Sequence, residues 1–283
     1  MQSRIALPST SIRTASLPGS RARGEGRQPT TSVLRRAALI ALPWLIVIGI
    51  WYAIAYSGLV NPSLVPTPHR VAWRFWELLT TARLPLDILM STERVVIGVA
   101  LGIAAAVPVG FVLGWYRNVR MFIDPLMNFF RALPPIALIP LVIVYFGIGE
   151  LAKIVVLFYA SFFAGVIVMY EGIAQISPIY VRVSRTLGAT DFEIFRKVIV
   201  PLTVPHLLTA LRVALGVAWA TLVASELIAA QQGLGALIQN ASSFFQLDII
   251  YVGIICIGLI ALAMDLVLRA VAKRLVAWQE RIA

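Results

Sequence analysis

Long apolar stretches separated by short polar segments dominate the pattern of this chain. Five of them are long enough to cross a membrane, because a helix rises about 1.5 Å per residue and the hydrocarbon layer is about 30 Å thick. These five are Leu34–Tyr56, Val95–Trp115, Leu151–Tyr170, Pro205–Ala229 and Ile249–Val271. The pattern therefore predicts a helical membrane protein.

A sixth apolar stretch, Leu133–Ile148, is shorter and carries Pro134, Pro135 and Pro140. Its roughly 16 residues fall just below the usual length of a span. We interpret it as a sixth transmembrane helix, and a buried or partly re-entrant element is the alternative. The predicted fold is all-α, with six transmembrane helices.

The polar segment after the first span contains an amphipathic pattern. Thr67-Pro68 is typical of a helix start, with the proline in the first helical position. Val71, Phe75 and Leu78 follow at helical spacing. We expect a helix that lies at the outer membrane interface, whereas ordinary loop packing is the alternative.

Small residues recur every fourth position along the second span. Such a stripe lets two helix backbones approach closely, which favours helix association in lipid. The stripe consists of Gly98, Gly102, Ala106, Gly110 and Gly114. We predict a dense contact with another span, and the general enrichment of glycine in membrane helices is the alternative.

Composition agrees with a membrane protein, since 60% of residues are apolar and 13% are charged, against about a quarter charged in soluble proteins. The net charge of +11 comes from unevenly placed basic residues. With the N-terminus inside, 19 of the 24 Lys and Arg lie in inner segments and 5, among them Arg94 and Lys153, lie in outer ones. The positive-inside rule then predicts that both termini are cytoplasmic, without any role for nucleic acid.

Several kinds of chemistry are missing from the sequence. It has no G-x-x-x-x-G-K-[ST] phosphate loop. His69 and His206 are the two histidines, expected on opposite sides of the membrane, and Cys256 is the one cysteine. A His/Cys metal cluster of normal spacing cannot be assembled from these residues. The sequence predicts no cofactor, no metal site and no enzyme activity, with Cys256 as a packing residue.

The polar segment between the fourth and fifth spans predicts two short capped helices. Ser177-Pro178 begins the first, and Gly188 suits the left-handed position that ends it. Thr190 and Glu193 form the capping box of the second, which we expect to end at Pro201. The apolar edges of the two helices comprise Ile179, Val183 and Leu187, and then Phe192, Phe195 and Ile199. These edges predict docking on a partner, with packing against the chain's own spans as the alternative.

This loop resembles the cytoplasmic signature of permeases of ATP-binding-cassette (ABC) importers. The signature reads E-A-A, three residues, G, nine residues, then I-x-L-P. Gly188 is followed by nine residues and then by Val198-Ile199-Val200-Pro201, whereas Arg182-Val183-Ser184 replaces E-A-A. By this resemblance, the contact with the ATPase involves Arg182, Arg185, Leu187, Gly188, Ala189, Phe192, Phe195, Val198 and Pro201.

Other segments resemble permeases for taurine and alkanesulfonates, chiefly Phe146–Glu150, Thr221–Ala230 and Gly233-Leu234-Gly235. The resemblance implies the ABC type-1 permease fold and a multi-pass location in the bilayer of the bacterial inner membrane. It also implies a permease homodimer, two cytoplasmic ATP-binding subunits and an external substrate-binding protein. Taurine or a small sulfonate is the expected substrate. Aliphatic sulfonates, nitrate and bicarbonate are alternatives, and a secondary transporter is the other class considered.

Four regions follow from the sequence and the resemblance together. Residues 1–32 are expected to form a disordered cytoplasmic tail, and residues 33–81 the first span with the outer amphipathic segment. The permease core covers 82–272, and 273–283 form a cytoplasmic C-terminal tail.

Polar residues within the spans are candidates for function. Thr221, Ser225 and Glu226 are the candidate lining of the translocation path, and hydroxyls that bond back to their own helix are the alternative. Arg212 is expected to reach the inner headgroups or an anionic substrate. Asp265 and Arg269 are four apart and are expected to pair on one helix.

Overall fold

The computed structural model describes residues 31–58 and 64–276, so most of the predicted N-terminal tail and residues 277–283 lie outside it. The described residues form α-helices and one π-helical turn, without a β-strand among them. The helices are α1 Thr31–Tyr56, α2 Pro68–Thr80, α3 Arg83–Trp115, α4 Arg117–Ala132, α5 Pro135–Phe146, α6 Glu150–Ala174, α7 Pro178–Thr186, α8 Asp191–Ile194, α9 Val200–Ala229, α10 Leu234–Ser243 and α11 Leu247–Leu275.

The chain divides into two compact units at Ile50, so the N-terminal part of α1 is described by itself. Its residues from 41 to 50 are exposed and largely apolar, which suits a helix in lipid. In the second unit, the indole of Trp51 donates a hydrogen bond to the carbonyl of Pro66 at 3.1 Å. The same ring stacks on Tyr251 with 5.3 Å between centroids.

Within the described ranges, four helical segments are long and apolar enough to cross a membrane: α3, α6, α11 and the segment Asp191–Ile228, which joins α8 to α9. This last segment corrects the prediction that the second loop helix ends at Pro201. A π-helical turn, Phe195–Ile199, precedes the proline, and the N–H of Val200 bonds to the carbonyl of Phe195. The wider turn accommodates the proline ring, which in a regular helix would clash with the carbonyl four residues earlier.

The sixth apolar stretch is not a straight span. Helices α4 and α5 are bent by 89° at Leu133, which has extended backbone angles, because a residue before proline is disfavoured in the α conformation. Helix α5 has 12 residues and is about 18 Å long, too short to cross the bilayer alone. The prediction of six straight spans is therefore corrected. The described residues contain four long apolar helical segments, this bent pair and the shorter apolar part of α1, Ala41–Tyr56.

The amphipathic helix predicted after the first span is present as α2. It begins after the N-cap Thr67 and buries Val71 and Leu78. Trp73 and Trp76 are exposed, as expected of residues that meet the membrane interface.

The small-residue stripe of α3 lies against α6, which places the two helix backbones in close contact. A Cβ added at Gly102 would lie 2.6 Å from the Cβ of Ser161 and 2.9 Å from the backbone nitrogen of Phe162. Further along the stripe, a Cβ at Gly114 would lie 2.6 Å from Ile173. Only residues without large side chains fit at this spacing.

We expect Gly102→Leu to lower the free energy of unfolding by about 3 kcal/mol, because the added side chain meets the α6 backbone. The matched control is Gly258→Leu in α11, where an added Cβ would have no neighbour within 4 Å. Thermal unfolding of the purified variants in detergent provides the measurement. Equal melting temperatures for the two variants would contradict the tight contact.

Candidate functional site

The loop between α6 and α9 forms an exposed surface built on helix caps. The Ser177 hydroxyl accepts the N–H of Ile179, and Gly188 ends α7 with φ of +80°. The Thr190 hydroxyl accepts the N–H of Glu193 at 3.3 Å, and the Glu193 carboxylate accepts the N–H of Thr190 at 3.1 Å. Both predicted caps are confirmed.

Four apolar residues on the two loop helices are more than half exposed, and we call them the α7–α8 surface: Ile179, Val183, Leu187 and Phe192. Leu187 is 82% exposed and Phe192 is 70% exposed. Exposed apolar clusters of this kind mark sites of interaction with other proteins or with membranes.

The second predicted edge lies partly against the chain itself, which corrects its prediction as a fully exposed face. Ile199 is buried, and the ring of Phe195 meets Phe111 of α3 edge to face at 5.3 Å. Packing against the chain's own spans, the alternative interpretation, therefore holds for this part of the loop.

An ion pair connects the two loop helices, with 3.0 Å between Arg185 Nη2 and Asp191 Oδ1. Beneath it lies a cavity of about 380 Å³, bounded by the end of α3 and by Phe195. Among the remaining residues predicted for this site, Arg182 and Pro201 are exposed, whereas Ala189 and Val198 are half-buried.

A second group of charged residues joins α3, the start of α6 and the end of α9. We call it the Arg94 cluster, and it lies at the ends of α6 and α9 that are opposite to the α7–α8 surface. Arg94 of α3 makes a two-pronged pair with Glu150 of α6, at 2.5 Å and 2.7 Å. Its third nitrogen lies 2.5 Å from Glu226 of α9, and Lys153 lies 2.8 Å from Glu150. The side chains of Arg94 and Glu226 are 3% and 0% exposed. Two cations and two anions thus balance each other, as buried charges require.

The Glu226 carboxylate also organises the turn before α10. It accepts hydrogen bonds from the Ser91 hydroxyl at 2.8 Å and from the Gly235 N–H at 2.8 Å. In the same turn, the N–H of Gly233 donates to Asp87 at 2.8 Å. A Cβ at Gly233 would lie 2.5 Å from a Glu226 oxygen, so glycine is required by space as well as by its φ of +126°.

The sequence prediction missed Arg94 and Lys153, which it placed among the outer basic residues. A signal for Arg94 was present, since Asp87, Ser91 and Arg94 recur at helical spacing before the second predicted span. Helix α3 begins at Arg83, so all three polar residues belong to this helix. Their partners, Glu150 and Glu226, come from distant parts of the chain and have no local signature.

The candidate path residues make contacts inside the protomer. The Thr221 hydroxyl donates to the carbonyl of Val217 at 2.8 Å, and the Ser225 hydroxyl donates to the carbonyl of Leu222 at 2.8 Å. Both residues are buried, which agrees with the alternative of hydroxyls bonded back to their helix. Glu226 is paired with Arg94. In this conformation, the side chains of Thr221, Ser225 and Glu226 therefore do not line an open path.

Charges at the other end of α9 form the Asp265 triad. Arg269 pairs with Asp265 at 2.6 Å, so the predicted pair on α11 is confirmed. Arg212 of α9 also pairs with Asp265, at 2.7 Å, a partner that the sequence prediction did not include. In the described ranges, no group of three His, Cys, Asp or Glu side chains is placed to hold a metal ion.

Comparisons with known proteins agree with this architecture. A family model described as "Binding-protein-dependent transport system inner membrane component" matches residues 98–277, which is more than half of the chain. The chain belongs to this family. It is therefore a multi-pass permease of the inner membrane and not an enzyme.

Individual relatives of the permease cover most of its length. It is 45% identical over 85% of its residues to a probable ABC transporter permease protein of Brucella abortus, covering 95% of that protein. It is 33% identical over 90% of its residues to the taurine transport system permease protein TauC of Escherichia coli, covering 92% of that protein. A nitrate import permease protein of Synechococcus elongatus is 30% identical over 90% of this permease, which covers 96% of that protein.

A solved structure shows the same fold. The permease matches a chain of the MetNI methionine ABC transporter, crystallised in inward facing conformations, with a TM-score of 0.55 and 22% identity. The match covers 68% of this permease and 97% of that chain. The all-α type-1 permease fold that the sequence predicts is thus confirmed.

Proposed function

We propose that this permease is the transmembrane subunit of an ABC importer for taurine or a closely related small sulfonate. The α7–α8 surface is the main support for the role as a transmembrane subunit of an ABC importer. It presents exposed Leu187 and Phe192 in a loop stabilised by caps and by the Arg185–Asp191 pair. An ATP-binding subunit is its proposed partner. The helix that leaves this surface continues through the π-helical turn into α9, so movement of the partner is passed directly to a span.

ATP supplies the energy for transport through such a contact only if the partner favours one permease conformation over the other. Closure of two ATP-binding subunits would draw the loops of two permease copies together and turn the path toward the outside. We therefore propose a permease homodimer with the path between the copies, both termini on the cytoplasmic side and an external binding protein that delivers the substrate. The excess of basic residues in the expected inner segments supports this orientation.

Relatives support the substrate class. TauC of Escherichia coli is 33% identical, and a putative aliphatic sulfonates transport permease protein of Bacillus subtilis is 29% identical over 93% of this permease. Both named substrates carry a sulfonate group. Nitrate is the alternative, because a nitrate import permease protein is 30% identical.

Deletion of the permease gene is expected to abolish growth on taurine as the only sulfur source and to leave growth on sulfate unchanged. The reason is that a sulfonate is fully ionised and cannot cross lipid unaided. Growth curves on single sulfur sources, together with uptake of labelled taurine, provide the measurement. The gene restored on a plasmid is the control. Normal growth on taurine and other sulfonates, with loss of nitrate uptake instead, would overturn the assignment.

A further inference from the structure

The Asp265 triad carries more positive than negative charge. Arg212 and Arg269 both pair with the single carboxylate of Asp265, and Lys273 follows on α11 four residues after Arg269. The two arginine side chains remain 51% and 52% exposed. Each guanidinium has several N–H donors, whereas a carboxylate accepts about four hydrogen bonds at most, so donors remain for another anion.

The triad lies in the last three turns of α11, where the headgroups are expected. Arg269 is six residues and Asp265 ten residues from Leu275, which corresponds to about 9 Å and about 15 Å along the axis. Long arginine side chains extend from such positions toward the interface. The positive-inside rule places this end at the cytoplasmic leaflet.

An apolar groove lies beside the triad, between α9 and α11. Its volume is about 590 Å³. Every lining residue is apolar: Leu215, Leu259, Ile260, Ala263, Met264, Val267, Leu268 and Val271. Leu215 follows Arg212 by three residues on α9, and Leu268 immediately precedes Arg269 on α11. The Arg212–Asp265 pair joins the same two helices, so the charged site adjoins the groove.

We propose that this groove is a binding site for an anionic phospholipid of the cytoplasmic leaflet. The phosphate would accept hydrogen bonds from Arg212 and Arg269, and one acyl chain would lie in the groove. Two features identify a lipid rather than a soluble anion: the site joins cationic donors to an apolar groove, and its depth matches the headgroups. Basic pockets between helices on the cytoplasmic side bind anionic headgroups in this way.

The test measures binding of phosphatidylglycerol to the full-length permease by native mass spectrometry, with phosphatidylcholine, whose choline cancels the phosphate charge, as the comparison without net charge. We expect Arg212→Gln/Arg269→Gln to weaken phosphatidylglycerol binding roughly 30-fold, since each basic residue near the surface contributes about a kcal/mol. The matched control is Arg117→Gln/Arg131→Gln, which removes the same charge from exposed positions on the same expected side. This control is expected to bind as the unmodified permease does.

Two further variants separate lipid binding from damage to the fold. Ala263→Trp fills the groove without changing charge and is expected to weaken phosphatidylglycerol binding. Asp265→Asn frees the arginine donors and is expected to strengthen it, a gain that a misfolded protein would not show.

Three results would overturn the proposal. Equal affinity for the two lipids would remove the role of the arginines. Displacement of phosphatidylglycerol by millimolar phosphate or taurine, without any effect of Ala263→Trp, would identify a site for soluble anions. Conversion of a permease dimer into monomers by Ala263→Trp, with lipid binding unchanged, would identify the groove as an interface between copies.

Discussion

Arg94→Met is expected to lower the free energy of unfolding of the permease by about 3–5 kcal/mol, because it leaves the buried Glu226 carboxylate without its cation. Glu150 loses its two-pronged partner as well, but its side chain is half exposed and water replaces part of the interaction. Thermal unfolding in detergent and the amount of permease in the membrane provide the measurement. Lys197→Met is the matched control, since Lys197 pairs with Glu193 and both side chains are exposed, and exposed pairs of this kind contribute little to stability.

A second substitution tests whether charge is the cause. Glu226→Gln removes the buried negative charge while an amide oxygen still accepts the hydrogen bonds of Ser91 and Gly235. The double variant Arg94→Met/Glu226→Gln is therefore expected to regain a large part of the lost stability. If the double variant were as unstable as Arg94→Met alone, packing of the arginine would account for the loss and the ion pair would not.

Gly188→Val is expected to reduce transport at least about tenfold and to release the ATP-binding subunits during purification. Gly188 adopts φ of +80°, which a β-branched residue resists. The substitution would therefore rotate α8 relative to α7 and separate Leu187 from Phe192. A Cβ at this position meets no other residue of the described chain, so within the permease the substitution acts through backbone conformation.

The matched control is Gly188→Asn, because asparagine tolerates the left-handed conformation better than other residues with side chains. We expect this variant to keep most of its transport and its ATP-binding subunits. Co-purification measures the contact, and uptake of labelled substrate measures transport. If Gly188→Val still bound the ATP-binding subunits and still transported substrate at the same rate, coupling would not occur at the α7–α8 surface.

Local signals account for what the sequence predicted well. The caps at Ser177 and Thr190 depend on residues within one helical turn, and α2 follows from helical spacing around Val71. The bend at Leu133 and the continuation of the helix through Pro201 were predicted less well. In both cases a proline marks a disturbance of the backbone, but the surrounding structure decides whether the helix breaks or widens into a π-helical turn.

Local sequence patterns could not predict the Arg94 cluster. Its charged members are 56 and 132 residues apart along the chain, and their pairing follows from the way α3, α6 and α9 pack together. The small-residue stripe predicts that α3 lies close to a span, but it does not say which one. Long-range charge pairing therefore had to come from the structure.

The helix from Asp191 to Ile228 has 38 residues and is about 57 Å long, which exceeds the thickness of a bilayer, so in the proposed coupling it would act as a lever. Phe192 lies at one end and Glu226 near the other. A displacement of Phe192 must either move the part of the helix that holds Glu226 or be taken up where the helical hydrogen bonds are irregular, at Phe195–Ile199 and at Pro205. The stiffness of this short stretch thus sets how much of the mechanical work done at the loop reaches the Arg94 cluster.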